Sequence, residues 1–285
     1  MKRWLGSGLI LVTGLSGAVP ALADSQDFQL SKIGKPTGSG SAEDANFRVF
    51  ANQLGAAISS ADFSPPETLG HSGFNFALGY SVAKIGDLQT QVWPTAGTPP
   101  SQALLMPTVI LRKGLPFSFE LGGRFAYLTY SRMAAATIEV KWALNEGFLY
   151  LPDVGVRGHG TRLVGARDFG LTTAGVDIGI GKQFAVGGMF TLTPYVGWDR
   201  LFVSCYSSVI DFSDSSRTVE QAQLDPSKND ATFETVAMGQ NQSNRFYAGL
   251  RFITSVLEVG AEISVAQINS NKQVLVASGK LGLDF

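Results

Sequence analysis

The chain has 285 residues, a formal net charge of −1 and only 16% charged residues. That balance leaves no basic footprint for nucleic acid, so no nucleic-acid partner is expected. The one cysteine, Cys205, excludes an internal disulfide, and neither a metal-ligand spacing nor a cofactor motif stands out.

Residues 1–23 have the form of a signal peptide. Lys2 and Arg3 supply the positive start, and Leu9, Ile10, Leu11, Val12 and Leu15 form a short apolar core. Ala21-Leu22-Ala23 gives the small-x-small pattern cut after Ala23, so the mature chain is expected to start at Asp24. The stretch is too short and too rich in Gly and Ser to make a good membrane-spanning helix. Asp24 and not a cysteine directly follows the cut, so no lipid anchor is expected there.

Residues 24–43 are polar and read as a flexible leader. Residues 44–72 then divide into a helix and an entry segment. Over 44–60, Phe47, Phe50, Leu54, Ala57 and Ile58 recur at helical spacing, and Ser59-Ser60 and Pro65-Pro66 end the pattern. The apolar stripe of Phe47, Phe50, Leu54 and Ile58 needs a partner, since so short a helix is marginal in water. It can plug a lumen, lie on the inner membrane surface, or cover a periplasmic mouth. A polar lumen would take it only if that lumen held an apolar patch.

From residue 73 to 285 the period changes to two. Phe74, Phe76, Leu78, Tyr80 and Val82 alternate with small and polar residues, as do Phe117, Phe119, Leu121, Gly123, Phe125 and Tyr127. Ile138, Val140, Trp142 and Leu144 form a third such run, and Leu257, Val259, Ala261, Ile263 and Val265 a fourth. Each is about nine to eleven residues, the length of a tilted strand crossing a bilayer. Weaker runs near 104–112, 150–159, 170–181, 190–203, 245–254 and 274–285 bring the total to about ten strands, with eight or twelve as alternatives. The expected fold is all-β: a transmembrane antiparallel up-and-down β-barrel preceded by a short amphipathic helix. Pro194 falls inside one run and removes a ladder donor, for which a bulge or a later strand start would compensate.

If the first strand runs outward, the short connections at Lys113-Gly114-Leu115, Asn145-Glu146-Gly147, Gly187-Gly188 and near Ser255 face the periplasm. Segments 84–103, 160–169 and 205–243 are then the longer outer loops, the outer-membrane pattern. Tyr127, Tyr130, Trp142, Tyr150 and Trp198 fall near strand ends, where an interfacial girdle would sit. A soluble sandwich also alternates. In a sandwich, however, the bulky face fills one shared core, whereas closure turns that face to lipid and leaves no open edge.

The last strand closes on Leu281, Leu283 and Phe285. This terminal aromatic in an alternating strand resembles the signal by which barrels are recognised for insertion. Outer-membrane lipid and the insertion machinery are thus the expected partners. In addition, three stretches resemble a family of proteobacterial outer-membrane barrel proteins without an assigned activity. They are Leu54-Gly55-Ala56-Ala57-Ile58-Ser59 followed by Pro65-Pro66-Glu67-Thr68-Leu69-Gly70 and Gly73-Phe74; Arg112-Lys113-Gly114-Leu115-Pro116-Phe117; and Thr193-Pro194-Tyr195-Val196-Gly197. The likeness covers most of residues 44–204. It implies the bacterial outer membrane and a barrel, and transfers no active site.

The inward face collects Glu120, Arg124, Glu139, Lys141, Arg157, His159, Asp177, Asp199, Arg245, Arg251, Glu258, Glu262 and Lys280. Charges in a narrow lumen must pair or stay wet. They therefore either fix strand register or form a constriction that selects solutes. An enzyme would need His159 beside Asp168 or Asp199, near the outer rim, but no hydrolase signature is present. Two functions remain open. One is a narrow pore or passive transporter of small or hydrophobic solutes. The other is a closed structural or binding barrel working through outer loops, notably 205–243, whose Asp211, Asp214, Glu220, Asp225, Asp230 and Glu234 suit a solvated surface.

Overall fold

A strand that alternates bulky with small residues has one natural placement in a membrane sheet: apolar face outside, polar face inside. In a computed structural model describing residues 24–59, 63–84, 93–97, 103–212, 229–269 and 272–285, these runs close into a transmembrane antiparallel barrel. The signal-peptide residues 1–23, Ser60 and most of 84–103 lie outside the described residues, as do Asp214, Glu220 and Asp225.

The strands are β1 (Phe74–Lys84), β2 (Ala103–Leu115), β3 (Phe119–Tyr127), β4 (Ala134–Asn145), β5 (Asp153–Val164), β6 (Phe169–Gly181) and β7 (Phe184–Val186). They continue with β8 (Phe190–Ser207), β9 (Ile210–Asp211), β10 (Asp230–Ala231), β11 (Gln242–Thr254), β12 (Leu257–Asn269) and β13 (Lys272–Asp284). Ten of them form the wall in chain order, β8 pairing with β11 and β13 returning to β1. At the seam Phe74 and Phe285 exchange backbone hydrogen bonds of 2.9 Å in both directions. Closure leaves the wall no unpaired edge, which hydrocarbon demands. The bulky residues Leu78, Phe125, Ile138, Trp142, Ile178, Phe246 and Ile263 point outward and are exposed. No described helix is long and apolar enough to cross a membrane.

Pro194 is accommodated by neither a bulge nor a late start. β7 continues β6 in the same register, since Gly181 faces Tyr195 and Phe184 faces Leu192. The ladder merely skips at Lys182, whose N–H still donates to the Pro194 carbonyl at 3.2 Å. Only the donation proline cannot make is missing.

The connections differ from expectation in four places, one of them the turn after β4, which is 146–152 and not Asn145-Glu146-Gly147. The turn after β2 is Pro116-Phe117-Ser118, with Phe117 and Ser118 at φ 64° and 60°, while Lys113-Gly114-Leu115 remain in the strand. That pair of positive φ values suits the right-handed twist of a hairpin. The 160–169 connection shrinks to residues 165–168, because β5 runs on to Val164. The 205–243 loop starts only after Ser207, and its returning part folds inward, burying Phe233 and Val236. Trp198 is set in the middle of β8, away from either strand end.

Among the described residues one α-helix, α1 (Ala42–Ile58), stands before the wall. Ser41 caps it by accepting the Asp44 N–H at 3.2 Å, and Glu43 and Asp44 occupy its positive first turn. Its residues from Gln53 to Ile58 are all buried, so the expected stripe widens to the whole circumference. The helix touches β6, β8, β12 and β13. It lies inside the barrel.

Candidate functional site

The lumen has two halves, and the strands explain both. Towards the long-loop end the inward positions turn apolar: Leu104 and Met106 on β2, Leu171 on β6, Leu201 and Val203 on β8, Val274 and Val276 on β13. On β2 and β13 the outward Leu105 and Leu275 are apolar as well, which is a sequence signal for the patch that the helix requires, whereas on β6 and β8 the outward Thr172 and Ser204 are polar. Phe47, Phe50, Leu54 and Ile58 are buried among them. Phe50 meets Phe28, Trp93 and Phe169 with centroids at 5.1, 5.2 and 5.5 Å, and Phe47 stacks on Phe233 at 4.8 Å. Burying such side chains stabilises by roughly 1.5–3 kcal/mol apiece.

Residues 24–33, expected to be a flexible leader, instead line the same rim. Phe28 bridges to Thr95, and the Gln26 and Gln29 N–H groups donate to the carbonyls of Tyr130 and Pro94 at 3.0 and 2.7 Å. Leu30 is fully buried. Its N–H donates to the Asp168 carboxylate, which burial pushes above the usual carboxylate range while the Leu30 N–H and Arg167 pull it back. Apolar Phe28 and Leu30, set in a polar context, are what composition overlooked.

Towards the short-turn end the lumen is charged. The thirteen residues Glu120, Arg124, Glu139, Lys141, Arg157, His159, Asp177, Asp199, Arg245, Arg251, Glu258, Glu262 and Lys280 all point inward, each 7% exposed or less. They join into a network. Glu139 accepts from Arg112 at 2.8 Å and from Arg157 at 2.6 Å, and Arg157 continues to Asp177 at 2.7 Å. Lys141 reaches Glu120 at 3.1 Å, Arg245 reaches Asp199 at 2.6 Å, and Lys280 reaches Glu258 at 2.7 Å. Arg112, Asn75, Tyr195 and Tyr247 belong to this layer but had no place among the expected residues. Arg112 and Asn75 sit on the inward parity of their strands, a signal already available. The two tyrosines turn inward because Gly197 and Gly249, directly across the β8–β11 ladder, leave room for their rings.

The segment after α1 runs through this charged half. Arg124 and Arg245 donate to the Ile58 and Ser59 carbonyls at 2.8 and 3.0 Å, placing two cations at the helix's negative end. Below them, the Phe63 N–H donates to Glu262 and Lys141 donates to Ser64 Oγ, both at 2.9 Å. Glu67 pairs with Arg251, the Thr68 N–H donates to Glu146 at 2.8 Å, and Lys113 donates to the Ser72 carbonyl at 2.6 Å. The Pro-Pro-Glu-Thr-Leu-Gly stretch thus ties the plug to the wall on its way to β1.

His159 is in mid-wall, not at the outer rim. Its Nε2 lies 3.3 Å from Asp199 Oδ1, and both side chains are sealed from solvent. Asp168 belongs to the rim. His159, Asp177 and Asp199 could offer ligand atoms within 4.8 Å of one another. Arg157 and Arg245 already supply the positive charge that a metal would bring to those carboxylates. Leu281, Leu283 and Phe285 are exposed on the outer face of β13 and just beyond it.

No family model matches the chain, and no curated protein does. Among solved structures it is similar to Ail, the attachment invasion locus protein of Yersinia pestis, at 10% identity over 75% of this chain and 99% of that one, with a TM-score of 0.29. An outer membrane channel from Pseudomonas putida is also 10% identical, over 79% of this chain and 100% of that one, with a TM-score of 0.36. The outer membrane protease OmpT from Escherichia coli is 9% identical over 80% of this chain and 100% of that one, with a TM-score of 0.34.

Proposed function

We propose that the protein is a bacterial outer-membrane barrel, exported by a signal peptide cut after Ala23, that is closed at rest and works as a binding module at its long-loop rim. One observation carries this reading: residues 42–59 and 63–73 occupy the lumen from one rim to the other, held by buried aromatics above and ion pairs below. In this reading the thirteen charges are plug holders and register pins, and His159 has no access to a substrate. The rim is built to be rigid, because the leader, residues 93–97, the 128–133 turn and Phe233 all pack on the plug or on one another. Membrane lipid covers the wall, and the last strand carries the insertion signal.

A narrow pore for hydrophobic solutes is the second reading. The apolar upper lumen favours it, since that surface would be uncovered whenever α1 left. Planar-bilayer recording separates the two. The full chain should carry no current. A chain lacking residues 24–72 should carry current, because the helix and the 63–73 segment fill the two halves of the lumen. Steady current from the unaltered chain would overturn the closed reading. Silence from the chain lacking 24–72, with its barrel shown to be folded by circular dichroism, would remove the pore.

A further inference from the structure

The route of the chain before β1 has a topological consequence. β1 begins at the short-turn end, where Phe74 lies beside Lys113 and Phe285. Residues 24–33 lie at the opposite end, bonded to Tyr130, Pro94 and Arg132. Between them the contacts descend in order. Asp44 accepts the Glu234 N–H at 2.8 Å at the long-loop rim, and Gly55 faces Val203 and Thr173. Ile58 and Ser59 meet Arg124 and Arg245 in mid-lumen, and Glu67, Thr68 and Ser72 reach the short-turn rim. A helix of 17 residues alone covers about 25 Å of that path at 1.5 Å per residue. The wall has no edge, so the chain cannot go around it.

We infer that the protein carries its own N-terminal segment through its barrel and displays residues 24–41 on the outer surface, where they form part of the binding rim. This rests on the outward orientation of the long loops proposed above. The displayed stretch has two parts. Residues 24–33 are stitched to the rim. Residues 35–40, with Lys35 and the Gly38-Ser39-Gly40 turn, are largely exposed, and Gly38 and Gly40 have open space around them. The threading also ties plug and display together. Pulling on the displayed stretch pulls on Ser41 and α1, so a ligand gripping the rim acts on the seal of the lumen.

Single cysteines in the full-length protein test this, with the buried Cys205 replaced by alanine. The sites are Ser39→Cys on the displayed stretch, Tyr130→Cys on the long-loop rim and Met189→Cys on the short-turn end, all exposed positions. Intact cells are treated with a membrane-impermeant polyethylene-glycol maleimide, then permeabilised and treated again. The expected result is full labelling of Ser39→Cys and Tyr130→Cys in intact cells, with Met189→Cys labelled only after permeabilisation. Labelling of Tyr130→Cys with Ser39→Cys protected would overturn the threading while leaving the orientation intact. Protection of Tyr130→Cys would overturn the orientation and the inference with it.

Discussion

The decisive residues are buried ions whose partners come from different strands. Glu139 sits between Arg112 on β2 and Arg157 on β5, and its loss takes the 2.8 Å partner from Arg112 and one of two carboxylates from Arg157, which keeps Asp177. Breaking one partner of such a set typically costs about 3–5 kcal/mol. Glu139→Gln should therefore lower the stability of the folded barrel by that order in urea titrations in detergent, and an unchanged midpoint would show the network to be idle. Asp168 acts in the opposite sense. Its carboxyl is raised by burial against the docked leader, so the docked state holds the proton more tightly than the undocked one. Docking is then strongest below the ordinary carboxylate range and weakens as pH rises through the raised value. Hydrogen exchange of residues 28–33, corrected for the intrinsic pH dependence of exchange, should report weaker protection at neutral pH than in acid, and Asp168→Asn should flatten that dependence.

At the scale of elements, α1 and β13 carry opposite duties. The helix is a short segment that would be marginal alone and becomes fixed only because strand ends with apolar inward residues surround it. Its caps are supplied from both directions, by Ser41 in sequence and by Arg124 and Arg245 from the wall. β13 is the closing strand, and its outward Leu281 and Leu283 lead to Phe285 at the seam with Phe74. We propose that this strand is what the insertion machinery reads. Phe285→Ala should slow appearance of folded protein in the outer membrane several-fold in pulse-chase, without changing the stability of barrel refolded in detergent. Equal insertion rates would discard the proposal.

For the whole molecule, the returning part of the 208–241 connection matters as much as the wall. Phe233 stacks on Phe47, the Glu234 N–H donates to Asp44, and Val236 pairs with Cys205. A loop that looks like solvated surface by composition is in part the lid over the plug. Removing all of 205–243 would therefore cut into β8 and release the helix, and so would not report on surface binding alone.

Much of this architecture was legible in the sequence. Alternation of bulky and small residues is a local property, and it determined the strands, their inward and outward faces, and a count of about ten. The inward charges and the helical stripe of Phe47, Phe50, Leu54 and Ile58 were legible for the same reason. What filled the lumen was decided only by tertiary structure. An apolar stripe is satisfied by any greasy surface, so residues 42–58 could have chosen lipid, a mouth or a lumen. The choice depended on which apolar strand ends came together when β13 closed on β1. Ion-pair partners such as Arg112 with Glu139, the docking of Phe28 and Leu30, and the direction of threading share that origin. Each is a contact between residues far apart in the chain, set by closure and not by any local period.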